Sequence, residues 1–282
     1  DRIGSGGTVA LANSNYIVRS PEWSDGRGAV SWGDGSVSST ARLNGSVSNS
    51  NSLIGTNPVD HIGISNLNVD VGGVVQLDSG DYLVVSSLWD SPSQSGGLLV
   101  DVGAVTWASG TAGLVGEVTL NNSLVGASEG DQLGGGYVRT TLPPSSLAPL
   151  GQFLVTRGDV GSFGGGYYIA SPFVDGTGPS GLQADVGAFT YVPAGTLPAT
   201  GTVSSSNSLV GSTAGDQVGA FTSIETPLAI QVTASGTFIP NSTTLELPGF
   251  ISQTSDWLAL STPSFDTTVG GTSITDAGAV TF

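Results

Sequence analysis

Cysteine, methionine and lysine are absent from this 282-residue chain, and histidine occurs once, at His61. Without cysteine there is no disulfide scaffold, no thiolate zinc site and no cysteine nucleophile. A lone histidine leaves a serine triad one candidate base, and no nucleophile elbow is read beside it. His61 is read instead as a polar turn residue. Apolar runs never approach the ~18 residues of a membrane span, so membrane insertion is not expected. Cations are scarce too: six arginines stand against 22 acids, giving a formal charge of -16 and a pI near 4.1. Such a surface repels the phosphates of nucleic acids and of anionic lipids, and neither is an expected partner.

What the chain has is glycine, 44 residues of it, and a hydrophobic content of 38% that separates it from disordered sequences. Its acids are 17 Asp to 5 Glu. Asp favours turns and Glu favours helices, so the imbalance points to a loop-rich β protein.

The chain also repeats itself. A DxxG element occurs at Asp1–Gly4, Asp60–Gly63, Asp131–Gly134 and Asp216–Gly219. Each is followed by a strand-like run: NYIVRSPEW (15–23), DYLVVSSLW (81–89), YYIASPF (167–173) and DWLALSTPSF (256–265). Then come GAVSW (28–32), DVGAVTW (101–107), DVGAFTY (185–191) and DAGAVTF (276–282). A further element is written GSVSNSNSLIG (45–55), GEVTLNNSLVG (116–126) and GTVSSSNSLVG (201–211). Ahead of the second element a first strand is read at GTVAL (7–11), GVVQL (73–77), GYVRT (136–140) and LAIQV (228–232). Short β-branched and aromatic runs bounded by Gly, Asn and Asp are strands. The expectation is an all-β fold of tandem four-stranded repeats at 1–59, 60–130, 131–215 and 216–282, together one domain. Insertions are read at 141–166 and 233–255. The architecture expected is propeller-like, with a β-solenoid or a β-sandwich array as alternatives.

The order of DRIG, VRSP and GAVSW resembles FG-GAP repeats, the blades of integrin-α-type β-propellers. The SLVG, DQVG and GAVTW phrases also resemble repeats of long bacterial haemagglutinin-like surface proteins. The resemblance implies an extracellular or cell-surface protein with a structural or adhesive role. It does not carry over the family's calcium loop, because the corresponding linkers are ANSN (12–15) and DSGD (78–81), where only Asp78 and Asp81 offer carboxylates.

No residue is read as catalytic, and the chain is expected not to be an enzyme and to need no cofactor. Three aspartate sets recur by repeat: the DxxG set, the set before GAV (Asp101, Asp185, Asp276), and Asp25, Asp90, Asp175 and Asp266. Turn capping accounts for their periodicity. The alternative is calcium, with Asp78, Asp81, Asp101, Asp185 and Asp276 as ligands. Recurring aromatics, among them Trp107, are read as core; the alternative makes Trp23 and Trp89 platforms for surface glycans. That lectin reading ranks second to the structural role, and a glycoside hydrolase third, since no carboxylate pair stands out. At the C-terminal strand, Asp276, Ala277, Gly278, Ala279, Val280, Thr281 and Phe282 are read as an unpaired edge. Copies of the chain, or further repeats of a parent chain, are the expected partners there.

Overall fold

In a computed structural model, residues 1–36, 43–64, 73–93, 96–135, 166–178 and 181–220 are described with their side chains. The backbone is described also for strands Phe153–Val155, Asp159–Phe163, Thr222–Ile224, Ile251–Gln253, Leu258–Thr262, Thr267–Val269, Thr272–Ile274 and Ala279–Thr281. The described residues are all β, with no helix among them and hence none long and apolar enough to cross a membrane. They form several small sheets arranged as a tandem repeat array.

In the first repeat, Thr8–Ala10, Tyr16–Ser20, Ala29–Gly33 and Leu53–Ile54 make an antiparallel meander. The second repeats it with Val74–Gln76, Tyr82–Ser86, Ala104–Ala108 and Ser123–Val125. The third uses Asp159–Phe163, Gly166–Ser171, Ala188–Val192 and Leu209–Val210. In the fourth, Ile251–Gln253, Leu258–Thr262 and Ala279–Thr281 pair in that order. The third repeat corrects the sequence reading. Its first strand is Asp159–Phe163, inside the stretch read as an insertion, and GYVRT (136–140) lies outside the described residues. Phe163 pairs with Gly166, so only two residues separate the strands, and a tight hairpin takes the strand nearest in sequence. In the fourth repeat Ile251–Gln253 likewise pairs with Leu258–Thr262 from within the stretch read as an insertion, while LAIQV is not described.

The element ending in NSLVG is also corrected: it is two short strands, not one. Gly116–Glu117 leaves its own repeat and runs parallel to Leu53–Ile54 of the first; Gly201–Thr202 does the same beside Leu124–Val125 of the second. The second and third repeats thus each lend a fifth strand to the sheet before them.

Packing follows from strand alternation, which sends successive side chains to opposite faces. Every residue of Tyr82–Ser86 is buried. Tyr82 and Val84 enter a core shared with Ile17, Val30, Leu53 and Ile62 of the first repeat. Leu83 and Val85 enter a second core, shared with Tyr167, Ile169 and Val203 of the third. The middle sheet is therefore covered on both faces, and its repeat has no core independent of its neighbours. Polar contacts tie the same seam: Gly110 O of the second repeat accepts Asn13 Nδ2 (2.7 Å), Asn15 Nδ2 (2.9 Å) and Trp32 Nε1 (3.1 Å) of the first.

Candidate functional site

The residues repeated most faithfully are those of the connector at 51–63, 122–134 and 207–219. In this motif, Asn opens a turn. Asn51, Asn122 and Asn207 each accept a backbone N–H at Oδ1, from Ser48 (2.9 Å), Thr119 (2.9 Å) and Ser204 (3.0 Å). Through Nδ2 they donate to Ser46 O, Glu117 O and Thr202 O. This bracket turns the chain from the lent strand back into its own sheet, which is why the element splits in two. The following serines, Ser52, Ser123 and Ser208, share hydroxyl hydrogen bonds with Ser31, Thr106 and Thr190 on the adjacent strand, at 2.7, 2.6 and 2.7 Å.

The glycine after the strand is sterically required. A Cβ at Gly126 would lie 2.3 Å from Val102 O and 2.8 Å from Asp131 Cβ; Gly55 and Gly211 meet Arg27 O and Val186 O in the same way. Gly126→Ala is expected to cost ~1–3 kcal/mol by overpacking against fixed backbone. Gly97→Ala is the control, because nothing lies within 4 Å of a Cβ there. Denaturant midpoints of the two variants make the comparison.

The aspartate ends the loop. Asp131, which opens the third repeat, accepts at Oδ2 the N–H groups of Ala127 (2.7 Å) and Ser128 (2.9 Å) at the end of the second, and at Oδ1 that of Asp175 (3.0 Å) in the third. Asp60 does the same with Thr56, Asn57 and Asp90. Asp216 holds the N–H groups of Ser212 and Thr213. Asp1 holds that of Ser24. Asp60, Asp131 and Asp216 thus each close one loop, and Asp60 and Asp131 also tie that loop to the next repeat.

The line continues through the other aspartates. Asp90 Oδ1 accepts Asp101 N (2.8 Å), and Asp175 Oδ1 accepts Asp185 N (2.9 Å). Asp101 O and Asp185 O then accept Gln132 N and Gln217 N, beside the next clasping aspartate. Asp101 and Asp185 have φ near +53° and +54°, and in the first repeat that place is held by Gly26 at φ +77°, whose carbonyl accepts His61 N. His61, Gln132 and Gln217 share a left-handed φ of 45° to 48°. His61 is 9% exposed, with Nδ1 3.2 Å from Pro21 O and 3.8 Å from Glu22 Oε1.

This geometry revises several residue assignments. The place of Asp90 and Asp175 is taken in the first repeat by Ser24, not Asp25; all three sit four residues past the serine that ends the second strand. Trp89 corresponds to Val174 rather than Phe173, since Gly103 N and Gly187 N donate to Trp89 O and Val174 O. Trp89 is 1% exposed and presents no face to a sugar, which removes it as a glycan platform; Trp23, its counterpart, is half-buried. Trp32 and Trp107 are half-buried against the first and second cores, but Tyr191 in the same place is 38% exposed.

The carboxylates named for calcium do not form one cage. Asp81 spends Oδ1 on Gly110 N and Oδ2 on Ser79 Oγ. Asp101 and Asp185 belong to successive repeats, Asp276 lies outside the described residues, and no three His, Asp or Glu side chains converge among those described. Gly126–Gly130 spells GxSxG after a strand, a match the sequence reading passed over. No helix follows it among the described residues, and Asn57 and Thr213 take the place of Ser128 in the other copies, each giving its N–H to the aspartate. It is a capping loop. Of the C-terminal edge, Ala279–Thr281 pairs with Leu260, Ser261 and Thr262 on one side, and Asp276, Ala277, Gly278 and Phe282 lie outside the described residues.

Burial pushes Asp60 and Asp131 up to about 6, against three backbone N–H groups that favour the carboxylate. Burial first, then the Asp90 and Glu129 carboxylates, raise Asp101 as well. A folded-state pKa above the ordinary 3.8 means that the folded chain holds protons the unfolded chain has released. That stabilisation is complete at low pH and is lost as pH rises through about 6. Relief of the net negative charge acts in the same direction. The melting temperature is therefore expected to fall between pH 5 and pH 7, and a pH series by circular dichroism checks the sign.

Among curated proteins, none matches the chain. A family model matches it three times, at residues 10–64, 76–135 and 165–220, which is more than half its length. Each match opens at the first hairpin of a repeat and closes just past the last glycine of the connector, so Asp60 and Asp131 end one matched unit and hold Asp90 and Asp175 of the next. On these matches the chain belongs to the family described as a Repeat of unknown function (DUF5650).

Proposed function

We propose that this chain is a non-enzymatic structural or adhesive repeat protein of a bacterial surface or filament, acting outside the cell and assembling through its terminal repeats. The observation that carries the reading is how the connector is used. Its Asn, Ser, Gly and Asp are repeated because each fills a bond or a steric gap in the joint between repeats. A chain that invests its most faithful residues in joining units is suited to build and to display. A propeller-like arrangement of the repeats, of the FG-GAP kind, is the finer architectural reading. The cysteine-free, acidic, Gly-rich composition supports an extracellular setting.

Antibodies raised against the chain test the location: intact producing cells, or filaments sheared from them, are expected to label. Label that appears only after lysis would contradict the proposal.

A further inference from the structure

We propose that the face of the first sheet turned away from the second repeat is a docking surface for the acidic end of a second copy of this chain, joining copies head to tail. The inference rests on the assembling role proposed above and names the surface that would carry it.

The second and third repeats each meet the one before with the same set of side chains. In the second repeat these are Tyr82, Val84, Trp89, Ala104 and Val118, all buried in the core shared with the first. The third supplies Tyr167, Ile169, Val174, Ala188 and Val203 to the next core. The first repeat carries the set too, as Tyr16, Val18, Trp23, Ala29 and Val47. Here Tyr16, Val18, Trp23 and Val47 are only half-buried. The face is built to the pattern of an inter-repeat core, and its apolar positions are still partly in water.

The lent strand repeats the message. Val118 N and Val203 N donate to Ile54 O (3.0 Å) and Val125 O (2.9 Å) of the preceding sheet. In the first repeat the same Asn bracket shapes the segment, with Asn51 holding Ser48 N and Ser46 O. Gly45–Val47 nevertheless belongs to none of the described sheets, and Gly45 and Ser46 are exposed. Pairing an extended segment with a sheet edge is a general mode of recognition.

Charge selects the partner. Residues 1–59 hold four arginines and four acids, whereas residues 60–282 hold two arginines and 18 acids. Residues 216–282 have six acids and no arginine. Arg27 stands on the open side where Val102 and Val186 stand in the buried joints. A first repeat of no net charge, with Arg27 on its open side, and an acidic end attract, while two acidic ends repel, so head-to-tail order is favoured.

Sedimentation of the full chain up to about 100 μM, the range of weak specific contacts, tests the proposal. Self-association that grows with concentration and weakens with salt is expected. Val18→Asp should lower the association constant at least about tenfold, since it forces a carboxylate into an apolar joint that meets an acidic partner. Val47→Pro removes the N–H that would enter the neighbouring sheet and should do the same. Both sites are partly exposed, so circular dichroism and the melting temperature should be unchanged in each variant. A monomeric wild type, or association that both variants leave intact, overturns the interface. A monomer still displayed on cells would do so while leaving the proposed surface location and adhesive role standing.

Discussion

Trp89→Ala is expected to cost ~3–5 kcal/mol, the range for truncating a buried aromatic. Trp89 is among the largest fully buried side chains, and it lies in the seam between the first and second repeats. Its backbone is fixed on both sides, with its N–H given to Ser86 O and its C=O taken by Gly103 N, so the site cannot collapse readily. Trp23 is its counterpart on the open face of the first sheet, and Trp23→Ala should cost ~1 kcal/mol or less, as for surface changes. The same residue type in the same slot then reads out burial alone. Urea midpoints of the two variants give the comparison; equal losses would mean that the open face is already covered.

Asp131→Ala is the second large effect. It leaves the N–H groups of Ala127, Ser128 and Asp175 without the acceptor they now share. Each buried donor left unmade costs ~1–3 kcal/mol, partly offset here because burial already disfavours the charge. A net loss of ~2–4 kcal/mol is expected at neutral pH. Asp131→Asn should recover only part of it, since the amide supplies one acceptor oxygen and brings donors of its own toward N–H groups.

Much of this was legible in the chain itself. Glycine, asparagine and aspartate recur in the connector because a clash-free joint admits only glycine and a reciprocal turn favours asparagine and aspartate, so their spacing marked the repeats. What the letters did not reveal is where hydrogen bonds cross the chain. GEV at 116–118 pairs with residues more than 60 positions earlier, and no local periodicity signals a parallel partner at that distance. The identity of Trp89 with Val174 was hidden for a related reason: the shared feature is a carbonyl that accepts Gly103 or Gly187, and backbone bonds leave side-chain type free. In the third repeat the first-strand place is held by Asp159–Phe163, whose letters DVGSF do not resemble the first strands of the other repeats.

Amide hydrogen exchange tests most directly whether the connector aspartate clasps two repeats. In the Asp131→Ala variant, exchange should quicken at Ala127 and Ser128 in the same loop and also at Asp175, 44 residues away in the following repeat. Asp90, held by Asp60, should keep its protection. If Asp175 remains as protected as in the wild type while Ala127 and Ser128 open, the carboxylate only caps its own turn and the clasp between repeats does not exist.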